Sequence, residues 1–140
     1  RKTDNINFDT EHADKLAKIK KKINILIHSL SSNDEKRKIL EDAPMILQER
    51  QDKQNIGYTI NKGKTIGLCL EDNENELFFI VLHELSHIIT KEYGHTELFW
   101  KNFELLIKIS VKLGLYNYKN YNENPVNYCN FEISYTPYEK

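Results

Sequence analysis

Near the middle of the chain stands His83-Glu84-Leu85-Ser86-His87. Two histidines at i and i+4 lie one turn apart on the same face of a helix. That spacing lets two imidazole nitrogens reach one metal ion at about 2.0–2.1 Å. Glu84 is one residue along, about 100° around the helix, so it leaves the histidine stripe but can lean over a water held at the metal. A carboxylate there can take the water's proton and later hand it to a leaving amine. The surrounding residues, Leu77 to Leu82, Leu85, Ile88 and Ile89, cover nearly the whole circumference of a helix expected from about residue 75 to 90. A helix that is apolar all round is buried. Satisfied core histidines would explain one polar residue in it. Three, at metal spacing, are costly there unless paired or metal-bound.

A catalytic zinc takes three protein ligands and keeps one open position. His95 follows eight residues after His87, just past Gly94, which is expected at the C′ position of the helix. It is the favoured third ligand, with Glu92, Glu97 and Glu104 as competitors. Glu97 suits the positive N-terminus of the next helix, and Glu104 would mimic a glutamate supplied from a downstream helix. The longer astacin-like and matrixin-like pattern needs Gly at 90 and His at 93, where this chain has Thr90 and Tyr93.

The elements that must position these residues are partly visible in the sequence. Leu16, Ile19, Ile23, Leu26 and Leu30 predict a helix over residues 9–30, with Asp9 or Thr10 as its cap. Asp34 starts a short helix to about Glu41, Pro44 opposes its continuation, and Met45 to Glu49 reads as a strand. Residues 56–70 predict a β-hairpin turning at Asn61-Lys62-Gly63. Ile66, Leu68 and Leu70 share one face of its second arm, and Gly67 marks that arm as an edge strand. Thr96 caps a helix to about Leu113, with Phe99, Phe103, Leu106, Ser110 and Leu113 along one face and Gly114 after it. Phe131 to Tyr135 reads as a last strand. Phe99 and Trp100 are expected as core anchors that orient His95.

Hydrophobic residues make up 39% and charged residues 29% of 140 residues, which fits one soluble globular domain spanning 1–140. The longest central apolar stretch is too short to span a bilayer, so no membrane partner is expected. The charged start, Arg1 to Asn5, predicts no secretory signal, and the missing initiator Met suits a processed product or an excised domain. Cys69 and Cys129 are sixty residues apart. Without a signal, two reduced thiols acting as small hydrophobes are expected, which places the chain inside a cell, in cytoplasm or nucleus. Net charge is −1, and the basic run Lys15, Lys18, Lys20, Lys21 and Lys22 reads as a solvated helix face, with a phosphate-binding patch as the alternative. Glu71-Asp72-Asn73-Glu74-Asn75-Glu76 is an acidic run. His12 and His28 read as surface residues.

His83-Glu84-Leu85-Ser86-His87 followed by Gly94-His95-Thr96-Glu97-Leu98-Phe99-Trp100 resembles the WLM family of metalloproteases and its SprT/Spartan relatives. The segment Asn61 to Leu70 resembles the hairpin before their active-site helix, and Pro125 to Phe131 a tail of WLM-like domains encoded by large DNA viruses. The resemblance covers roughly residues 45–137. Glu71 stands where similar sequences carry Arg, and Asn130 where they carry Gly, which bears on substrate or DNA preference rather than on zinc chemistry. The resemblance implies an α+β, zincin-like fold, with the active-site helix packed under a small mixed sheet whose edge strand lines the cleft. Residues 64–70 are the candidate edge strand, to which an extended peptide adds. It further implies a zinc peptidase with Zn2+ on His83, His87 and His95 and Glu84 as base. The substrate is a protein or peptide, with DNA as a further partner and DNA-crosslinked proteins as a substrate class. Tyr128 or Tyr135 is a candidate oxyanion donor, against the plainer reading that both pack. The alternative function is a catalytically quiet zinc module that recruits DNA or protein, and the oligomeric state stays open.

Overall fold

The structure, a computed structural model, describes residues 2–51, 54–71 and 73–137, with side chains from Thr10 onward. Asp72 of the acidic run lies outside the described residues. The element order is α1 (Lys2–Ser29), α2 (Glu35–Asp42), β1 (Ile46–Glu49), β2 (Gly57–Ile60), β3 (Thr65–Leu68), α3 (Glu74–Ile89), α4 (Glu97–Lys112), β4 (Val126–Tyr128) and β5 (Phe131–Ile133). Among the described residues this is an α+β architecture of four helices with two small sheets. Helix α1 begins a full two turns before the expected cap, so neither Asp9 nor Thr10 starts it. Its apolar stripe is as expected, with Ile19, Ile23, Leu26 and Leu30 all buried.

Helix α3 is the central element, packed against α4, α2, β2 and β3. Leu77 to Leu82, Leu85, Ile88 and Ile89 are each at most 4% exposed. Burying side chains of this size stabilises the fold by about 1.5–3 kcal/mol each. Asn73 caps the start of α3 by accepting from the Glu76 N–H. Its end is set by Thr90, not by Gly94: the Thr90 N–H and hydroxyl both bond the Ser86 carbonyl, at 3.1 and 2.6 Å. Asn102 on α4 donates to the Thr90 hydroxyl at 3.0 Å and so locks the two helices together. Gly94 instead takes φ +84° in the following loop, a left-handed conformation that costs glycine nothing. Thr96 caps α4 as expected, accepting from the Phe99 N–H. Phe99, Phe103, Leu106 and Ser110 are fully buried on its inner face, whereas Leu113 is 39% exposed and Ile107 completes the packing.

The three-stranded sheet has the order β1-β3-β2. The hairpin forms as expected, with Ile60 opposite Thr65, but β3 is not an edge strand. Strand β1 pairs with its other side in parallel, Ile46 opposite Thr65 through Glu49 opposite Leu68. Gly67 is there because the Tyr58 ring lies across it, so closely that a Cβ would overlap the ring. The glycine marks a close approach rather than a sheet margin. The strand at the margin facing α3 is β2.

The tyrosine-rich C-terminal segment is ordered by a buried carboxyl. Glu76 on α3, 0% exposed, accepts from the Tyr121 hydroxyl at 2.5 Å and pairs with Lys119 at 3.1 Å. The chain then forms the β4–β5 hairpin, where Tyr128 opposes Phe131 across a two-residue turn. Cys129 and Asn130 have φ +54° and +65°, the pair of left-handed residues that a tight hairpin of this length requires. Asn tolerates that geometry best after Gly, which accounts for Asn130 in a place where glycine is common.

Cys69 and Cys129 form a disulfide, with Cα atoms 6.5 Å apart. This corrects the expectation of two reduced thiols. The β4–β5 turn packs against the segment after β3, where the Tyr128 hydroxyl donates to the Cys69 carbonyl at 2.7 Å and accepts from the Glu71 N–H at 3.1 Å. The intracellular assignment rested on free thiols and loses that premise. Among the described residues no helix is long and apolar enough to cross a membrane.

Candidate metal centre

Helix α3 carries His83 and His87 on one stripe, facing the loop between Thr90 and Thr96. That loop returns His95 to the same point. His95 Nε2 lies 3.2 Å from His83 Nε2 and 3.2 Å from His87 Nε2. Ligands around one tetrahedral ion at about 2.0–2.1 Å stand about 3.3 Å from one another, so His95 Nε2 already holds that spacing to both of its partners. They form a group of ligand atoms that can hold a metal. The glutamate competitors do not join it. Glu104 pairs with Lys108 at 2.7 Å and Glu97 with Lys101 at 3.7 Å, both along α4, and Glu92 is exposed.

Phe99 is the platform under the centre. Its ring centroid lies 4.4 Å from that of His87, 4.8 Å from His95 and 5.1 Å from His83. Trp100 contacts His95 at 5.7 Å and stacks on Phe103 at 6.1 Å. The aromatic pair after Thr96 therefore anchors α4 and steadies the imidazoles at once, as the sequence predicts.

Burial sets the charge state of these groups. It lowers the His83 pKa to about 3, with the charges on His87 and His95 adding to the effect. His87 is lowered to about 4 by burial, then by His95 and Lys62. Both rings are thus held neutral, the state in which imidazole binds a metal. Glu84 is 5% exposed. Burial raises its pKa to about 7, and a hydrogen bond from Thr59 opposes that rise. A carboxyl near neutrality is poised to exchange a proton.

Three further residues of the site were missed by sequence reasoning. Thr59 on β2 donates its hydroxyl to Glu84 Oε1 at 2.6 Å. Lys62, in the hairpin turn with φ +51°, sends Nζ to the His87, Thr90 and Glu92 carbonyls at 2.9, 2.5 and 3.3 Å. A cation there complements the negative end of α3. Gly57 lets β2 run against α3, since a Cβ would stand 2.8 Å from Ile80 Cγ2 and 3.7 Å from Glu84 Oε2. All three bridge elements far apart in sequence, and only the Gly-bearing hairpin hinted at them.

A cleft of about 640 Å³ opens over the centre, bounded by β2 on one side and by Tyr93, Phe131 and Tyr135 on others. The two tyrosine candidates separate here. Tyr128 is spent on Cys69 and Glu71, away from the histidines. Tyr135 lines the cleft with its hydroxyl 2.8 Å from His83 Nδ1. Four lysines of the α1 basic run have partners, and Lys21 is exposed. Lys20 donates to the Met45 carbonyl, Lys22 to the Leu115 carbonyl, Lys18 pairs with Glu74 and Lys15 with Glu11. His12 pairs with Glu49, and His28 bonds the Asn24 carbonyl.

The chain is 35% identical over 114 residues to uncharacterized protein R325 of Acanthamoeba polyphaga mimivirus, covering 76% of this chain and 54% of that protein. It is 39% identical over 69 residues to protein 136R of Invertebrate iridescent virus 6, covering 43% of this chain and 38% of that protein. It is 37% identical over 67 residues to protein 042R of Invertebrate iridescent virus 3, covering 43% and 42%. The chain spans about half or less of the length of these curated relatives. No family model matches it. No solved structure matches it either.

Proposed function

We propose that this chain is a zinc-dependent endopeptidase with a zincin-like fold, of the WLM/SprT type. The observation that carries the reading is that His95 Nε2 lies 3.2 Å from both His83 Nε2 and His87 Nε2, beside a buried glutamate whose pKa is raised to about 7. The donor set fits zinc: three neutral imidazoles beside the cleft, with no fourth protein ligand in the group among the described residues. A purely structural site would usually close with four protein ligands and would have no use for Glu84.

His83, His87 and His95 would hold zinc, which when bound would supply Lewis-acid chemistry towards a peptide carbonyl and water. The protein does the rest. Thr59 occupies Glu84 Oε1 and leaves Oε2 to accept a proton from the attacking water. Glu84 then carries that proton to the leaving amine, a transfer for which a pKa near neutrality is suited. Strand β2 offers the free edge of the sheet along the cleft, so an extended peptide pairs with Gly57 to Ile60 rather than with 64–70, which lies inside the sheet. The substrate is an unfolded or extended protein segment. The resemblance to SprT-like enzymes adds DNA-associated proteins to the substrate class.

The test is cleavage of a denatured protein by zinc-loaded wild type and Glu84→Gln. Loss of cleavage by at least about a hundredfold with zinc content unchanged supports the reading. A wild type that binds zinc yet cleaves nothing, with or without DNA, favours a zinc-binding recruitment module instead.

A further inference from the structure

We propose that Tyr135 is a positioning residue of the metal centre: its phenol oxygen accepts the Nδ1–H of His83 and so directs the His83 Nε2 lone pair at the metal. The inference rests on the metal reading above but concerns a residue that the three-histidine motif does not contain.

A neutral imidazole carries one N–H, and the proton's place decides which nitrogen can ligate. His83 Nε2 lies 3.2 Å from His95 Nε2, in a group of ligand atoms all within 4.8 Å of one another, while His83 Nδ1 faces the Tyr135 hydroxyl at 2.8 Å. If the phenol donated to Nδ1, the ring proton would sit on Nε2 and point into the cluster, where it blocks ligation. With the phenol as acceptor, the tautomer is the ligating one. Metal-binding histidines usually present their second nitrogen to a carboxylate or a carbonyl. Here the partner is a phenol, delivered by a segment distant in sequence.

The phenol is held firmly enough to act in this way. Its ring packs on Phe79 at 5.5 Å, Trp100 at 5.6 Å, His83 at 6.0 Å and Phe103 at 6.4 Å, so elements α3 and α4 both fix it. Two residues before it, β5 ends in a hairpin that is tied to the main sheet by the Cys69–Cys129 bond. Tyr135 therefore couples the C-terminal hairpin to the orientation of a ligand on α3.

Tyr135→Phe keeps the ring and its packing and removes only the hydroxyl. Zinc affinity is read by competition with a chromophoric chelator, with peptide cleavage measured at rising zinc. The expected result is zinc binding about 10–100-fold weaker than wild type, a metal-free melting temperature within a few degrees of wild type, and cleavage that returns towards wild type at saturating zinc. Unchanged zinc affinity overturns the proposal, and a persistent loss of cleavage at saturating zinc would then assign Tyr135 to the reacting carbonyl oxygen. Failure of wild type itself to bind zinc overturns the metal reading together with this one. Where the metal-free Tyr135→Phe protein melts more than a few degrees below wild type, the visible spectrum of the cobalt-loaded variant decides: a spectrum changed from wild type supports the proposal, and an unchanged one overturns it.

Discussion

The hydroxyl of Thr59 on the outer strand β2 donates a hydrogen bond to Oε1 of Glu84 at the centre of α3, across 2.6 Å. The bond ties the strand that borders the cleft to the group that would move the proton. It also limits how far burial can raise the carboxyl, because it favours the charged form. Thr59→Val should leave zinc content unchanged and lower kcat/KM by about tenfold. The acid limb of the pH profile should move to higher pH, since the remaining influence on Glu84 is burial. An unchanged profile would remove Thr59 from the mechanism.

The same buried groups shape stability against pH in the metal-free protein. His83 and His87 have folded pKa values of about 3 and 4 against an ordinary 6.5. Below pH 6.5 the unfolded chain binds protons that the fold refuses, so these histidines lose stability as pH falls. Glu84, raised to about 7 from 4.5, acts oppositely: stability rises as pH falls from 7 to 4.5. Between pH 7 and 5 the Glu84 gain and the His83 loss are each about 2 kcal/mol and offset one another. His87, half exposed, adds a smaller loss after discount for solvent screening. Calorimetry should therefore find a shallow decline in Tm from pH 7 to 5 and a steep one below 4.5. A steep fall beginning at pH 6.5 would contradict these shifts.

Gly67 and Tyr58 form a second testable pair. The ring lies over the glycine and its hydroxyl accepts from the Gln51 N–H at 3.0 Å, so it is not free to withdraw. Gly67→Ala should cost about 1–3 kcal/mol through overpacking. Adding Tyr58→Ala should recover part of that loss, measured by denaturant unfolding. Strictly additive losses would mean that the two residues do not meet.

The Cys69–Cys129 bond closes a loop of sixty residues. The chain-entropy estimate for such a loop is about 4 kcal/mol. Exhaustive reduction, or Cys69→Ser with Cys129→Ser, should lower Tm by about 10 °C or more. Two titratable thiols in the native protein before reduction would show that the bond is not formed.

What the sequence made legible was local. The His83-Glu84-x-x-His87 spacing, the buried stripe of α3, the Asp34 and Thr96 caps and the return of His95 all rest on residues within about one turn or one loop of each other. The central place of β3 was hidden because it depends on a parallel partner, β1, that meets it only in three dimensions. A glycine in a strand signals close approach, and nothing local says whether solvent or a Tyr58 ring approaches. Thr59, Lys62 and Tyr135 reach α3 from 25 to 52 residues away, and the disulfide joins segments that no spacing rule connects. Likewise Gly94 signalled a helix end correctly in kind but not in place, because Thr90 was free to use Asn102 on α4 as its partner.

The central claim is one metal ion on His83, His87 and His95 with an open fourth position. X-ray absorption at the zinc edge of the stoichiometrically loaded protein measures this directly. The expected result is three imidazole nitrogens at about 2.0–2.1 Å and one further light oxygen donor, with one imidazole lost in His95→Ala. A sulfur donor, a fourth protein nitrogen, or a first shell that His95→Ala leaves unchanged would contradict it.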